Sequence, residues 1–244
     1  MKRFPFLTGL ILSFAPTLLF GAALTGTGVE RWGDAADNRI NKPQSAYPRQ
    51  NADYPRKLSF TRIDLSGKPL PDDADSWSCV RDNVTGLVWE VKTTDSGLHG
   101  KWHTYTWFNP DEKQNGGVEG REGEPDDITC GTPAVVEAGC DTSKYVAAVN
   151  AAGWCGYKDW RLPTVDELAS LVDYGSFLPA IPRKYFPDMV MPAGFWTSTP
   201  SAAGPSYAWI VIFDDGYLGT CVKSWNYYLR LVRDSNLRLR GAAE

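Results

Sequence analysis

The sequence predicts an α+β fold with two helices and a mostly antiparallel, twisted sheet bearing long loops, and three observations carry that expectation. Two helix-start signals, at Asp141-Thr142 and at Thr164, precede a cluster of strand-like runs instead of alternating with it, which separates α+β from α/β. The late cluster contains an Asp215-Gly216 hairpin signal. Ten Trp, eleven Tyr and ten Phe supply large, rigid side chains for one sizeable core.

In chain order, Lys2 and Arg3 precede an apolar run over 4–20, broken by Pro5, Gly9 and Pro16 and followed by Gly21, Ala22 and Ala23. This reads as a signal peptide over 1–23, too short and interrupted to span a bilayer comfortably. No cysteine follows the small residues, which argues against lipid attachment. Removing Lys2 and Arg3 from the 25 basic residues leaves 23 against 29 acidic ones, a net charge of −6. That balance argues against nucleic acid or an anionic membrane as a general partner. Residues 24–76 are polar and punctuated by Pro43, Pro48, Pro55, Pro69 and Pro71, and read as an extended lead-in to a domain over 77–235, with 236–244 as a tail.

The first convincing strand covers 85–91, entered through Gly86. From 93 to 139 the chain is Gly-, Asp- and Glu-rich, a long loop of the kind that carries binding surfaces. Asp141 or Thr142 opens a helix with Tyr145, Ala148, Val149 and Ala152 on one face, and Gly153 stops it. Thr164 and Glu167 form a capping box that starts a second helix, expected over 164 to about 174. Strands are expected over 195–199, 207–213, 217–221 and 227–233, with 207–213 covered on both faces because it is apolar throughout. Arg161 is expected to stack on an aromatic ring or pair with Asp166.

Five cysteines in an exported chain point to disulfides in an oxidising compartment, with one thiol left over. Cys130 with Cys140 is the first pairing and Cys79 with Cys155 the second, leaving Cys221 free, although a Cys155–Cys221 bond fits the count equally well. His99 and His103 have the spacing of a helical zinc pair, but Gly97 and Gly100 oppose a helix and no carboxylate occupies the motif position. They read as solvated loop histidines. Two stretches mix aromatic rings with amides in a way that suits binding: Trp102, Tyr105, Trp107 and Asn109, and Trp225, Asn226, Tyr227 and Tyr228. Trp89, Trp160, Trp196 and Trp209 are assigned to the core instead.

The motifs Cys79-Val80-Arg81-Asp82-Asn83-Val84-Thr85-Gly86-Leu87-Val88-Trp89-Glu90, Asp159-Trp160-Arg161-Leu162-Pro163-Thr164, Phe195-Trp196-Thr197-Ser198-Thr199, Tyr207-Ala208-Trp209 with Phe213-Asp214-Asp215-Gly216, and Arg230-Leu231-Val232-Arg233 together resemble the Lcl C-terminal domain family. The resemblance implies a fold related to C-type lectins and formylglycine-generating enzymes, on secreted or surface bacterial proteins, and an adhesin-like association with glycans. The collagen-like repeat of those adhesins is missing, since no Gly-X-Y run occurs.

On that basis the chain is expected to be an exported, noncatalytic binding module for a glycan or cell-surface partner, in the periplasm, at the cell surface or outside the cell, with no cofactor required. Two alternatives stand beside it: a formylglycine-generating-type oxidase, which needs a second thiol near Cys221, and a structural component of the cell envelope. Calcium is a weaker expectation, from Glu124, Asp126 and Asp127 together with Glu119 and Glu122. The sugar-binding triplets of C-type lectins are absent, with Glu124-Pro125-Asp126 a near miss. A basic patch from Arg230, Arg233, Arg238 and Arg240 could attract sulfated glycans.

Overall fold

A computed structural model describes residues 58–124, 128–130 and 139–235, with the backbone of a short antiparallel pair, β1 (Trp32–Gly33) and β2 (Arg39–Ile40). The segment 1–23 expected to be a signal peptide, and Asp126, Asp127, Arg238 and Arg240, lie outside the described residues.

The first hairpin is written in its turn. Asp82 accepts hydrogen bonds from the Val84 amide at 2.8 Å and the Thr85 hydroxyl at 2.7 Å, and Gly86 adopts φ +77°, which a glycine reaches without steric cost. This turn joins β4 (Cys79–Asp82) to β5 (Leu87–Glu90). Outside them lie β3 (Phe60–Ile63) and a last strand, Val232–Asp234, giving a four-stranded antiparallel sheet with β5 next to the last strand. The sheet therefore begins upstream of Trp77, inside the stretch that reads as a lead-in. Arg62 holds β3 in place: its guanidinium lies 4.0 Å from the Trp77 ring centroid and 5.5 Å from that of Tyr185, and donates to the Lys184 carbonyl at 2.9 Å.

Helix α1 (Thr142–Ala152) starts where Asp141 accepts from the amides of Ser143 and Lys144, and ends at Gly153, whose left-handed backbone returns its amide to the Val149 carbonyl. Tyr145 and Val149 are buried as the periodicity requires, whereas Ala152 is exposed at the fraying end. The capping box at Thr164 forms as read: the Glu167 amide donates to Thr164 Oγ1 at 3.2 Å, and the Thr164 amide to Glu167 Oε2 at 2.8 Å. Helix α2 is nevertheless only Val165–Ala169. The Ser170 hydroxyl takes the Glu167 carbonyl at 2.6 Å and the Leu171 and Val172 amides tighten to partners three residues back, so the helix closes early while Leu168, Leu171 and Val172 are all buried. Arg161 pairs with Glu167, not Asp166, through two 2.7 Å bonds in a bidentate fork.

A second, three-stranded antiparallel sheet holds β6 (Gly194–Pro200), β7 (Tyr207–Ile212) and β8 (Tyr217–Val222), with the Asp215-Gly216 signal inside the β7–β8 turn. Its two faces line two cores. Trp196, Ala208 and Ile210 join Ile63, Val88, Trp160 and Leu229 on one side, and Phe195, Val211 and Phe213 join Val80, Trp89 and Leu171 on the other. This is why 207–213 is apolar on both faces. The strand expected over 227–233 is shortened to β9 (Val232–Asp234), because upstream backbone groups pair elsewhere: the Leu231 amide donates to Glu90 Oε2 at 3.0 Å and the Tyr228 amide to the Gly194 carbonyl at 3.1 Å.

Two disulfides staple these layers. Cys79 in β4 joins Cys155 in the turn after α1 with a Cα separation of 6.5 Å, and Cys130 joins Cys140 just before α1 at 5.5 Å. Cys221 remains a free thiol.

Candidate functional site

Three loops meet at one side chain that the sequence does not advertise. Lys223 follows β8, where its amide donates to the Ser206 carbonyl and its own carbonyl accepts from the Trp107 amide, both at 2.9 Å. Its side chain is buried, and Nζ donates to the carbonyls of Asn115 at 2.8 Å, Val118 at 2.6 Å and Pro205 at 2.7 Å while standing 4.2 Å from the Trp107 ring centroid. Burial pushes this ammonium below the usual lysine value. Three carbonyls and the negative face of an indole serve as its partners.

The loop over 109–120 is thereby folded back on Trp107. The Asn109 amide donates to the Glu119 carbonyl at 2.8 Å, Asn109 Oδ1 accepts from the Asp111 amide at 2.9 Å, and Asn115 Nδ2 reaches the Asn109 carbonyl at 3.3 Å. Gly120, at φ +96°, sits so close to Trp107 that an added Cβ would lie 2.1 Å from its carbonyl oxygen. Around this junction Tyr207 and Trp225 face solvent, Trp225 at 58% exposure, with Asn226 beside it.

The structure joins the two aromatic stretches at a backbone bridge, the Tyr105 amide donating to the Tyr227 carbonyl at 2.9 Å and the Tyr227 amide to the Tyr105 carbonyl at 3.1 Å. Their side chains have different fates. Tyr105 and Trp107 are completely buried, and the Trp107 indole donates to the Thr197 carbonyl at 2.8 Å, so they form the floor and offer no ring to a ligand. Tyr227 is half-buried edge-on to Trp196, Tyr228 half-buried against Phe195, and Asn109 half-buried in the loop. Trp102 is exposed, with its own neighbour Lys101 4.9 Å from the ring centroid and Lys101 paired to Asp188 at 3.3 Å. The outward members are thus Trp102, Trp225 and Asn226, and only the latter two adjoin the Lys223 junction.

Among the expected oxygen ligands, Glu119, Glu122 and Glu124 are exposed, and Glu122 pairs with Lys144 at 3.0 Å. Among the described residues no group of three or more His, Cys, Asp or Glu side chains is placed to hold a metal ion. Of the expected basic patch, Arg230 and Arg233 are interior, Arg233 forked onto Asp159 at 2.7 and 3.0 Å and stacked 3.7 Å from the Tyr157 ring.

His99 and His103 are buried, which corrects their reading as solvated loop residues. His103 Nε2 bonds the Gly97 carbonyl at 2.9 Å, and His99 stacks 3.5 Å from Trp154. His99 belongs to an interior charge cluster around Glu90, which is fully buried on the first core's side of β5. Glu90 Oε1 receives Lys92 Nζ at 3.0 Å, His99 Nδ1 at 2.7 Å and the Tyr145 hydroxyl, and its backbone carbonyl receives Arg230. Burial pushes the Glu90 carboxyl up, but the Lys92 charge and the bonds from His99 and Tyr145 outweigh it and hold the group well below the usual carboxylate range. Burial pulls Arg230 down to about 10 and Lys92 down as well, and raises Tyr105 and Tyr145 well above the usual phenol value. Perturbed titrating groups often mark catalysis; here they tie β5, α1 and the segment leading into the last strand together, and His99 Nε2, the Tyr105 hydroxyl and Arg230 Nε are buried without a hydrogen-bond partner among the described residues.

Cys221 Sγ lies 3.0 Å from the Tyr227 hydroxyl, and the chain's other four cysteines are in disulfides, so the paired thiols of an oxidase copper site are not assembled here. The Lys223 junction could have been suspected only from a lone lysine in the uncharged stretch 217–229; its three partners are distant in sequence.

The family model described as the Lcl C-terminal domain matches residues 78–233, and the chain belongs to that family. Comparison with curated proteins returned no match. The two disulfides point to an oxidising, extracytoplasmic setting, and no helix among the described residues is long and apolar enough to cross a membrane.

Proposed function

We propose that this member of the Lcl C-terminal domain family is an exported, noncatalytic binding module with a C-type-lectin-like arrangement, recognising a glycan or a surface partner through the platform at Lys223. One observation carries the reading: three loops are fixed at a single buried ammonium while Trp225, at 58% exposure, and Asn226 stand outward beside them. A rigid indole next to an amide suits a sugar, whose apolar C–H face stacks on the ring while hydroxyls meet the amide and nearby carbonyls. Rigidity matters because a loop already ordered loses less entropy when it binds.

The test is a glycan array, with mucin and heparin, probed by the correctly oxidised protein. Binding reduced tenfold or more by Trp225→Ala and unchanged by Trp102→Ala supports the platform. Uniformly null binding overturns the glycan version, and equal loss in both variants overturns the placement.

A further inference from the structure

The free edge of β8 is built to be paired. The Lys223 amide donates to the Ser206 carbonyl, which sets the alternation along the β7–β8 ladder, where Val222 stands opposite Tyr207 and Cys221 opposite Ala208. Cys221, Gly219 and Tyr217 therefore turn their backbone groups toward β7, whereas Leu218, Thr220 and Val222 turn theirs outward. Among the described residues only the Val222 carbonyl finds a partner there, the Trp225 amide at 3.0 Å. An edge like this is ordinarily blunted by charge, proline or a bulge. Tyr217-Leu218-Gly219-Thr220-Cys221-Val222 has no charged residue and no proline, and its six pairs with β7 run without a register shift; the irregularity in this sheet lies between β6 and β7. None of its six residues is buried, and Tyr217 and Leu218 are exposed at 61% and 38%.

We propose that this edge docks on the same edge of a second copy, forming an antiparallel pair about a two-fold axis through Thr220. In that register Thr220 faces Thr220 of the second copy, Leu218 faces Val222 and Gly219 faces Cys221, so residues 218–222 of the two copies meet with no charge between them. Thr220 exchanges amide and carbonyl with its duplicate, and each Val222 amide meets a Leu218 carbonyl. The charges agree with this choice. The chain carries a net −4, and antiparallel pairing sends the acidic turn Asp214-Asp215 of one copy away from its duplicate and toward the Trp225 end of the other, so the copies meet along an uncharged strand. Two platforms then sit on one assembly, and a multivalent ligand engages both with gain in avidity. This pairing stands whether or not the platform binds a glycan.

Sedimentation equilibrium or light scattering on the oxidised protein at ~10–200 μM tests it. The expected result is a mass twice that of the chain, returning to the monomer in Thr220→Pro, which removes an outward amide without touching the β7 ladder, and in Leu218→Lys, which places like charges across the edge. Near-ultraviolet circular dichroism verifies folding of each, and Leu218→Lys decides the matter if the proline variant misfolds. Thr220→Cys in a Cys221→Ala background should cross-link as a covalent dimer under mild oxidation, because the residue faces itself, whereas Leu218→Cys in that background should not. A monomeric wild type overturns the proposal, as it would if the edge instead took an extended peptide from another protein. A dimer that survives both edge variants, or a larger closed ring, overturns it too.

Discussion

Replacing Glu90 by Gln removes one charge from the centre of the interior cluster and leaves its shape almost unchanged. Oε1 receives Lys92 at 3.0 Å, His99 at 2.7 Å and Tyr145, while Oε2 accepts the Leu231 amide at 3.0 Å. A glutamine must point its amino group at one of these sides, so either Lys92 or the Leu231 amide meets a donor instead of an acceptor. Lys92 and Arg230, both buried, also lose their compensating anion. Breaking a buried ion pair from one side costs about 3–5 kcal/mol, and that is the loss expected for Glu90→Gln. Chemical denaturation of the disulfide-intact protein, followed by tryptophan fluorescence, reads it as a lower midpoint at unchanged slope. Glu90→Gln with Lys92→Met should recover part of the loss, with a coupling of about 2 kcal/mol in the double-mutant cycle. The pH dependence carries the same signature. A carboxyl held below its ordinary value of 4.5 contributes stability that is present above that value and drains away as pH falls beneath it, so the acid limb of the stability profile should flatten in Glu90→Gln. A cost under about 1 kcal/mol, or an additive cycle, would refute the electrostatic account.

The disulfides should differ in worth. Chain-entropy scaling gives about 4.5 kcal/mol for Cys79–Cys155, with a sequence separation of 76, and about 2.8 kcal/mol for Cys130–Cys140, with a separation of 10, so paired alanine variants should lower the denaturation midpoint in that order. Lys223→Met should leave three carbonyls without their donor; limited proteolysis is expected to cut within 109–120 at least tenfold faster than in wild type, while resistance equal to wild type would mean the loop is held by other contacts. Thr164→Ala breaks the capping box and should cost about 1 kcal/mol in the same denaturation assay, a value near zero showing that tertiary contacts alone hold α2.

What the sequence disclosed was mostly local. The Thr164 box, the Asp141 cap and the Gly86 turn depend on neighbours within a few residues, and each is written in residue types with one dominant conformational use. Proximity in sequence singled out Cys130–Cys140, whereas choosing Cys79–Cys155 over Cys155–Cys221 needed the folded distances. Reading failed where a side chain's fate is decided by something far along the chain. Tyr105 and Trp107 share one side of an extended stretch, as period-two alternation requires, but whether that side faces water depends on distant residues, Tyr145 against Tyr105 and Thr197 and Lys223 against Trp107. Strand β3 was hidden because Phe60-Thr61-Arg62-Ile63 sits among prolines and its arginine is neutralised in effect by rings at Trp77 and Tyr185. His99 and His103 have the Gly-rich flanks of a surface loop, and the buried partners that admit them, Glu90 and Trp154, leave no mark nearby.

The Lys223 junction has a bearing on how the fold meets a setting beyond the cytoplasm. Loops gathered by a dissociable ion come apart when a chelator or a dilute medium strips that ion, but the charge here is tethered covalently to the backbone it organises. Its occupancy is therefore independent of the mineral content of the surroundings, and the hazard it faces is alkali, which would take the proton and turn a gathering point into a void.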